Sequence, residues 1–218
     1  TRLRPLTDNT PKCLMKINGK PLLEIWLEQL TNDGISNFLI NTHHLSDKIT
    51  DYVMNSKYKK NINLVHETEL LGTAGTLISN LDFFDEKDGL LIHADNFCST
   101  SFLDFINIHL NRPKTCEITM MTFKTEEASK CGIVVVDKNK IVREFYEKSI
   151  NPPGNLANGA IYILSQKALN EIRNQYPSAK DFSIEIIPRF LNRIYSYEIS
   201  DHLIDIGTIE NYRKANEI

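Results

Sequence analysis

Short β-rich segments alternate with amphipathic helical segments in the first half of the chain, and this alternation constrains the fold most. Apolar residues recur at helical spacing over 21–30, after which a buried strand is expected over 37–41. The same patterns predict strands over 63–66 and 89–93, and helices over the segments 46–54, 72–79 and 101–110. Strands that alternate with helices favour the α/β class, with a mainly parallel sheet layered by helices.

In the second half of the chain, more of the expected strands follow one another directly and are joined by turns. Strands are expected over 116–123, 132–136, 141–146 and 160–164, and helical segments over 166–173 and near 184–191. We therefore expect a mixed sheet in which this half contributes meander-like strands. Since no Gly/Ser/Pro-rich linker separates the halves, we expect a single domain over 1–218.

Composition excludes several functional classes. The 218 residues carry 25 Lys and Arg against 28 Asp and Glu, so the formal net charge is −3. Proteins that bind nucleic acid or anionic membranes in general carry an excess of basic residues. This chain has a small acidic excess, so neither partner is expected. The longest apolar run, 160–164, is far too short to span a bilayer. The four cysteines form no CxxC pair, so we expect free thiols in a cytoplasmic protein.

Polar side chains follow several of the expected strands. In open α/β sheets, ligands bind outside the carboxyl ends of the strands. The positions that meet this description are 41–43, Glu67, Asp95, Glu147 and Asn158. We therefore expect these side chains to line a ligand site.

The beginning of the chain carries closely spaced cations, which suit a triphosphate because Arg and Lys form charge-assisted hydrogen bonds to phosphate. The order T-R-L-R-P-L-T, then P-K at Lys12 and G-K-P-L-L from Gly19, resembles the opening of the sugar-1-phosphate nucleotidyltransferases. The resemblance implies a three-layer α/β/α, Rossmann-like fold, with Thr1, Arg2 and Lys12 at the triphosphate. In that family a glycine-rich loop precedes the Thr-Arg pair, so the first strand and this loop are expected to be absent from the front.

A second motif resembles the family's nucleotide-binding turn. The sequence L-L-G-T-A-G from Leu70 matches the L-G-T-A-G segment that lies along the base and ribose. The resemblance implies that Gly72, Thr73 and Gly75 contact the nucleotide, and Glu67 is expected on the same side. Taken alone, a glycine-containing turn that starts a helix is an equally ordinary interpretation.

Two acidic residues resemble the family's metal ligands. Asp95 ends the segment L-I-H-A-D, and Asp205 opens D-I-G-T near the end of the chain, 110 residues later. Local structure cannot relate two acids that lie so far apart in the chain, but one shared metal site could. Mg²⁺ prefers one or two carboxylates together with phosphate oxygens and waters, so we expect Mg²⁺ or Mn²⁺ as the cofactor. A histidine site is also conceivable at 43–44 and His93, but no third ligand stands at matching spacing.

Further motifs resemble the family's sugar-phosphate site. Gly132 opens G-I-V, the pair Glu147-Lys148 resembles E-K-P, and Asn158 opens N-G-A-I-Y, where N-A-G is the usual order. The resemblance implies that Lys148 faces the sugar phosphate and Glu147 a sugar hydroxyl. Gly132, Asn158 and Asn96 are expected to bind the same substrate. As alternatives, an exposed Glu-Lys pair or an Asp after a strand is often only a solvated surface or a turn.

The resemblance implies an enzyme that transfers a nucleotidyl group from an NTP to a sugar 1-phosphate, releasing pyrophosphate. The motifs look most like the branch that uses GTP with mannose 1-phosphate or heptose 1-phosphate, in cell-surface polysaccharide precursor synthesis. Alternatives are a uridylyltransferase, a silent homologue that senses nucleotide sugars, or a glycosyltransferase, although the last would usually show D-x-D. A homodimer is possible, since family members often pair.

Overall fold

A computed structural model describes residues 3–218. The helices are α1 (Leu22–Asn32), α2 (Ser46–Met54), α3 (Gly72–Ser79), α4 (Phe102–Leu110), α5 (Gln166–Gln175) and α6 (Ile209–Asn216). The first strands are β1 (Lys16–Ile17), β2 (Lys20–Pro21), β3 (Phe38–Thr42), β4 (Ile62–His66), β5 (Gly89–Ile92) and β6 (Asn96–Cys98). The later strands are β7 (Ile118–Lys124), β8 (Gly132–Val136), β9 (Val142–Glu147), β10 (Leu156–Leu164), β11 (Ile194–Ile199) and β12 (Leu203–Asp205).

The described residues form two compact units. The first takes in 3–70, His93–Phe102 and Asp201–Ile218, and the second takes in Leu71–Ile92 and Leu103–Ser200. Because each unit is built from separated stretches of chain, local sequence alone does not determine its boundaries.

The first unit contains a parallel β-α-β element and two short antiparallel ladders. β3 and β4 pair in parallel, as a strand-helix-strand connection requires, and α2 lies between them in the chain. β6 pairs with β12 and β1 with β2, both antiparallel. Helix α1 buries Leu22, Leu23, Trp26, Leu27 and Leu30 along one face, which is the 3.6-residue periodicity seen in the sequence.

The second unit is built on a six-stranded mixed sheet in the order β11-β7-β10-β8-β9, with β5 also paired to β10. β11 runs parallel to β7, whereas β10 runs antiparallel to β5, β7 and β8. Its core packs α3, α5 and the segment 182–190 against the sheet, with Tyr162 and Phe182 in contact at 4.7 Å between ring centroids. These apolar side chains are almost wholly removed from water, which is the dominant favourable term in folding.

The α/β class with a mixed sheet is confirmed, and most expected elements are present. The pattern located α2, α3 and β8 at their observed bounds. β10 differs, because it begins at Leu156 rather than at Ala160 and places Asn158 inside the strand. In the part of the chain that the structure describes, no helix combines the length and hydrophobicity needed to cross a membrane.

Candidate active site

The short β6–β12 ladder brings the two predicted metal ligands together. Asp205, the last residue of β12, pairs with Asn96, and the Ile206 N–H donates to the Asp95 carbonyl oxygen at 3.2 Å. Asp95 and Asp205 are thus neighbours across two adjacent backbone segments, although 110 residues separate them in the chain. This register agrees with the expectation that Asp95 and Asp205 lie close together in the fold.

Lys12 contacts one of these acids. Its Nζ donates to Asp95 Oδ2 at 2.9 Å, and the two side chains keep 32% and 36% of their exposure. Lys12 opens a 3₁₀ turn that follows Pro11. The next residue, Cys13, stays a neutral thiol, because burial, with a smaller contribution from the charge of Asp95, raises its pKa to about 11.

The D-I-G-T segment holds the Asp205 carboxylate in one orientation. The Gly207 N–H donates to Asp205 Oδ1 at 2.8 Å, and a Cβ added at Gly207 would lie 2.9 Å from that same oxygen. Thr208 caps α6 by accepting from the Asn211 N–H, and Asn211 Nδ2 donates to the Asp205 carbonyl at 2.9 Å. Gly207 therefore contacts the acid directly, and Thr208 begins the helix whose Asn211 holds the Asp205 backbone.

The donor chemistry of this cluster fits a hard divalent cation. Within residues 3–218, no hydrogen bond engages Asp95 Oδ1 or Asp205 Oδ2, and both atoms are carboxylate oxygens. Hard cations such as Mg²⁺ and Mn²⁺ take such oxygens and complete their coordination with phosphate and water. The described residues contain no group of three or more His, Cys, Asp or Glu suited to a metal.

Asn96, predicted to bind substrate, is buried next to these acids. It keeps 7% of its exposure, and its carbonyl accepts from the indole Nε1 of Trp26 at 2.8 Å. This contact ties β6 to α1, which positions the ladder that carries Asp95. Substrate binding by Asn96 remains a prediction.

Glu67 follows β4 at the carboxyl edge of the β3–β4 pair, as expected. It is 8% exposed, and Asn41 Nδ2 donates to its Oε1 at 3.0 Å. Its backbone is held from both sides, because its N–H donates to the Thr42 carbonyl and its own carbonyl lies 2.8 Å from His43 Nδ1. The buried carboxylate is therefore held in place by β3, and His43 Nδ1 contacts the backbone of Glu67.

The L-G-T-A-G turn of the second unit is anchored on the backbone of Lys180 and Phe182. Gly72 has φ +79°, and a Cβ there would lie 2.4 Å from the Lys180 carbonyl oxygen. The Ala74 N–H donates to that same carbonyl at 2.9 Å, and Thr73 Oγ1 accepts from the Phe182 N–H at 2.8 Å. The requirement for glycine at position 72 is therefore a close approach of backbone to backbone.

A hairpin of β8 and β9 carries the Glu-Lys pair. Gly132 pairs with Glu147, and a Cβ at Gly132 would lie 2.7 Å from Glu147 Oε2 and from the Phe145 ring. Gly132 thus makes room for the Glu147 carboxylate rather than presenting a group of its own. Lys148 Nζ lies 3.3 Å from Glu147 Oε1, and its side chain is 69% exposed.

Asn158 does not stand past the end of a strand, which corrects the expectation drawn from the sequence. It lies within β10, where the register with β7 shifts between Asn158 and Tyr162. Its Oδ1 accepts from the Ala160 N–H at 3.0 Å and its Nδ2 donates to the Tyr162 hydroxyl at 2.6 Å. Both polar atoms of the side chain therefore stabilise the irregular segment of the strand.

The remaining candidates are Gly75, Thr1 and Arg2. Gly75 lies in α3, where a Cβ would come within 3.1 Å of the Leu71 side chain. Thr1 and Arg2, expected at the triphosphate, lie outside the described residues.

Comparison with known proteins defines the class to which this fold and these motifs belong. The model of the nucleotidyl transferase family matches residues 1–218, and the chain belongs to that family. The relationship to sugar-1-phosphate nucleotidyltransferases expected from the motifs is thereby confirmed.

Two curated relatives illustrate the range of activities among similar proteins. A mannose-1-phosphate guanyltransferase of Schizosaccharomyces pombe is 29% identical over 220 residues, covering 97% of this chain. A glucose-1-phosphate adenylyltransferase of Thermotoga maritima is 28% identical over 242 residues, covering 99% of this chain. The chain spans 59% and 57% of the lengths of these two relatives.

Solved structures confirm the fold. HddC from Yersinia pseudotuberculosis, crystallised with GMP-PN, is similar with a TM-score of 0.81 at 24% identity. The match covers 100% of this chain and 93% of that one. The Rossmann-like α/β architecture expected from the sequence is therefore correct.

Proposed function

We propose that this protein transfers a nucleotidyl group from an NTP to a sugar 1-phosphate, yielding an NDP-sugar and pyrophosphate. The observation that carries the proposal is the β6–β12 register, which sets Asp95 and Asp205 side by side with Lys12 on one carboxylate. A lysine binds phosphate through charge-assisted hydrogen bonds, and two carboxylates beside it can hold a divalent cation, which together stabilise the charge of a displacement at phosphorus.

The proposed reaction requires the protein to position the two substrates and to stabilise their negative charge. The nucleophile is a phosphate oxygen of the sugar 1-phosphate, whose second pKa is about 6, so it is already an anion near neutral pH. No general base is needed. Lys148, which is largely exposed, would pair with this anion, and Glu147 would orient the sugar through a hydroxyl.

Asp95 and Asp205 would hold Mg²⁺ or Mn²⁺ through their carboxylate oxygens. When bound, such a cation supplies positive charge that lowers the repulsion between nucleotide and sugar phosphates. Lys12 and Arg2 would bind the phosphates of the leaving pyrophosphate, since cationic side chains form charge-assisted hydrogen bonds with them.

GTP is the nucleotide that the proposal favours. Glu67 offers a buried carboxylate oriented by Asn41 at the carboxyl edge of β3–β4. A carboxylate accepts hydrogen bonds only, and the Watson–Crick edge of guanine presents N1–H and N2–H groups, which a carboxylate can accept. The guanyltransferase relatives and the GMP-PN complex of HddC support the same base, and a mannose- or heptose-type 1-phosphate is the proposed acceptor.

Gly72, Thr73 and Gly75 would lie along the ribose and base, with Thr73 as the side chain able to contact the nucleotide. Its oxygen accepts from the Phe182 N–H, so its own hydroxyl proton remains to be donated. Because NTPs are the substrates, the proposed location is the cytoplasm. The proposed assembly is a homodimer, which sedimentation analysis would test.

The test is a pyrophosphate-release screen of the full-length protein with ATP, GTP, UTP, CTP and dTTP against a panel of sugar 1-phosphates. We expect release with GTP and a mannose- or heptose-type 1-phosphate. Release with UTP alone would replace the guanine assignment by a uridylyltransferase. No release with any pair would overturn the enzymatic proposal in favour of a homologue that only binds nucleotide sugars.

A further inference from the structure

Lys12 places a positive charge on one carboxylate oxygen of Asp95, next to the oxygen that remains available to a metal. Its ammonium lies 2.9 Å from Asp95 Oδ2, and each side chain is about one-third exposed, so the pair is partly shielded from water. Asp205 Oδ1 is likewise engaged, by the Gly207 N–H at 2.8 Å. The acid pair is therefore already partly satisfied by the protein itself, and the ammonium provides its compensating positive charge.

A divalent cation approaching this pair would meet two costs. It would have to displace or crowd the ammonium on Asp95, and it would be repelled by a positive charge a few ångströms away. Both costs vanish once the ammonium transfers to another anion. The polyphosphate of an NTP is such an anion, and lysine, with its flexible four-carbon stem, can follow it without backbone movement.

We propose that Lys12 is a resident counter-ion of Asp95, which keeps the acid pair from binding a divalent cation until a nucleoside triphosphate draws the ammonium away. This inference rests on the proposed function. It makes cation and nucleotide binding cooperative, and by linkage the coupling is reciprocal, so each ligand strengthens the binding of the other by the same factor. Lys12 then has a role before any chemistry, in addition to binding phosphate.

The test measures Mn²⁺ binding by the full-length protein with electron paramagnetic resonance, with and without GTP, and does not depend on turnover. The variants are Lys12→Met and Lys12→Gln, two neutral replacements that guard against a folding defect in either one. Lys20→Met is the matched control, because Lys20 also forms an ion pair with a carboxylate, that of Glu28, and its loss changes the net charge equally. Asp95→Asn identifies binding at the acid pair.

Without nucleotide, we expect Lys12→Met and Lys12→Gln to bind Mn²⁺ on the order of tenfold more tightly than wild type, whereas Lys20→Met does not. GTP should strengthen Mn²⁺ binding in wild type, and this strengthening should shrink in the Lys12 variants. Equal nucleotide-free affinity in wild type and both Lys12 variants, with binding still lost in Asp95→Asn, would overturn this inference alone. If Asp95→Asn bound Mn²⁺ as wild type does with GTP present, the metal site of the proposed function would fail as well.

Discussion

Replacing Gly72 by alanine tests the finding that the L-G-T-A-G glycine is needed for backbone packing. Two terms contribute to the cost. A non-glycine residue at φ +79° costs about 1 kcal/mol, because Cβ crowds the backbone in the left-handed region. In addition, the new Cβ would sit 2.4 Å from the Lys180 carbonyl, which must move away and lengthen its 2.9 Å bond with the Ala74 N–H. A weakened buried hydrogen bond costs about 1–3 kcal/mol.

We therefore expect Gly72→Ala to lower the free energy of unfolding by about 3 kcal/mol, which corresponds to roughly 6–12 °C in melting temperature for a protein of this size. Gly34→Ala is the matched control, since Gly34 has φ +91° and open space where its Cβ would lie. That variant should lose only the conformational cost of about 1 kcal/mol. The assay is urea unfolding of the full-length protein without nucleotide, monitored by circular dichroism.

Equal losses in the two variants would refute the reasoning, because they would show that the Lys180 carbonyl imposes no constraint beyond the backbone angle. A loss in Gly72→Ala that is seen only with nucleotide present would assign the glycine to ligand contact instead.

Two further predictions concern stability in the second unit. His109 is 2% exposed between Asp88 and Thr119, and burial lowers its pKa to about 4. Since the unfolded chain binds this proton from pH ~6.5 downward, stability should fall between pH ~6.5 and ~4, by about 2 kcal/mol at pH ~5. Urea unfolding should show a flatter dependence in His109→Gln over this range, and an unchanged slope would contradict the assignment. Ala160 has φ +54°, so Ala160→Gly should raise the free energy of unfolding by about 0.5–1 kcal/mol, and a destabilised variant in the same assay would show that the bulge tolerates alanine without strain.

The sequence allowed prediction of the elements that bury one continuous face. Helix α1 and strand β8 show regular apolar spacing, and both were expected near their observed bounds. The three-residue strands β6 and β12 were not expected, because N-F-C and L-I-D are too short to show a period. Their pairing is a tertiary contact between distant segments, so the motif resemblance, rather than local pattern, indicated that Asp95 and Asp205 meet.

Candidate site residues could be named from the sequence, but the contacts that hold them could not. Asn158 was expected at the end of a strand, yet its side chain hydrogen-bonds to Ala160 and Tyr162 within β10. In the sequence, Gly159-Ala160 is typical of a turn before a strand, whereas in the structure these residues form the irregular segment of β10. The anchor of Gly72 on Lys180 joins segments more than one hundred residues apart, and nothing in the local sequence marks it.

The central claim is that Asp95 and Asp205 act on the reacting phosphates as one unit through one cation. Its most direct test is the kcat of Asp95→Asn, Asp205→Asn and the double variant in saturating GTP, sugar 1-phosphate and Mg²⁺. We expect each single variant to lose on the order of 10²-fold or more, and the double variant to lose about as much as the worse single one, since groups that act together are not additive. Near-normal turnover in the single variants, or losses that multiply in the double variant, would contradict the claim.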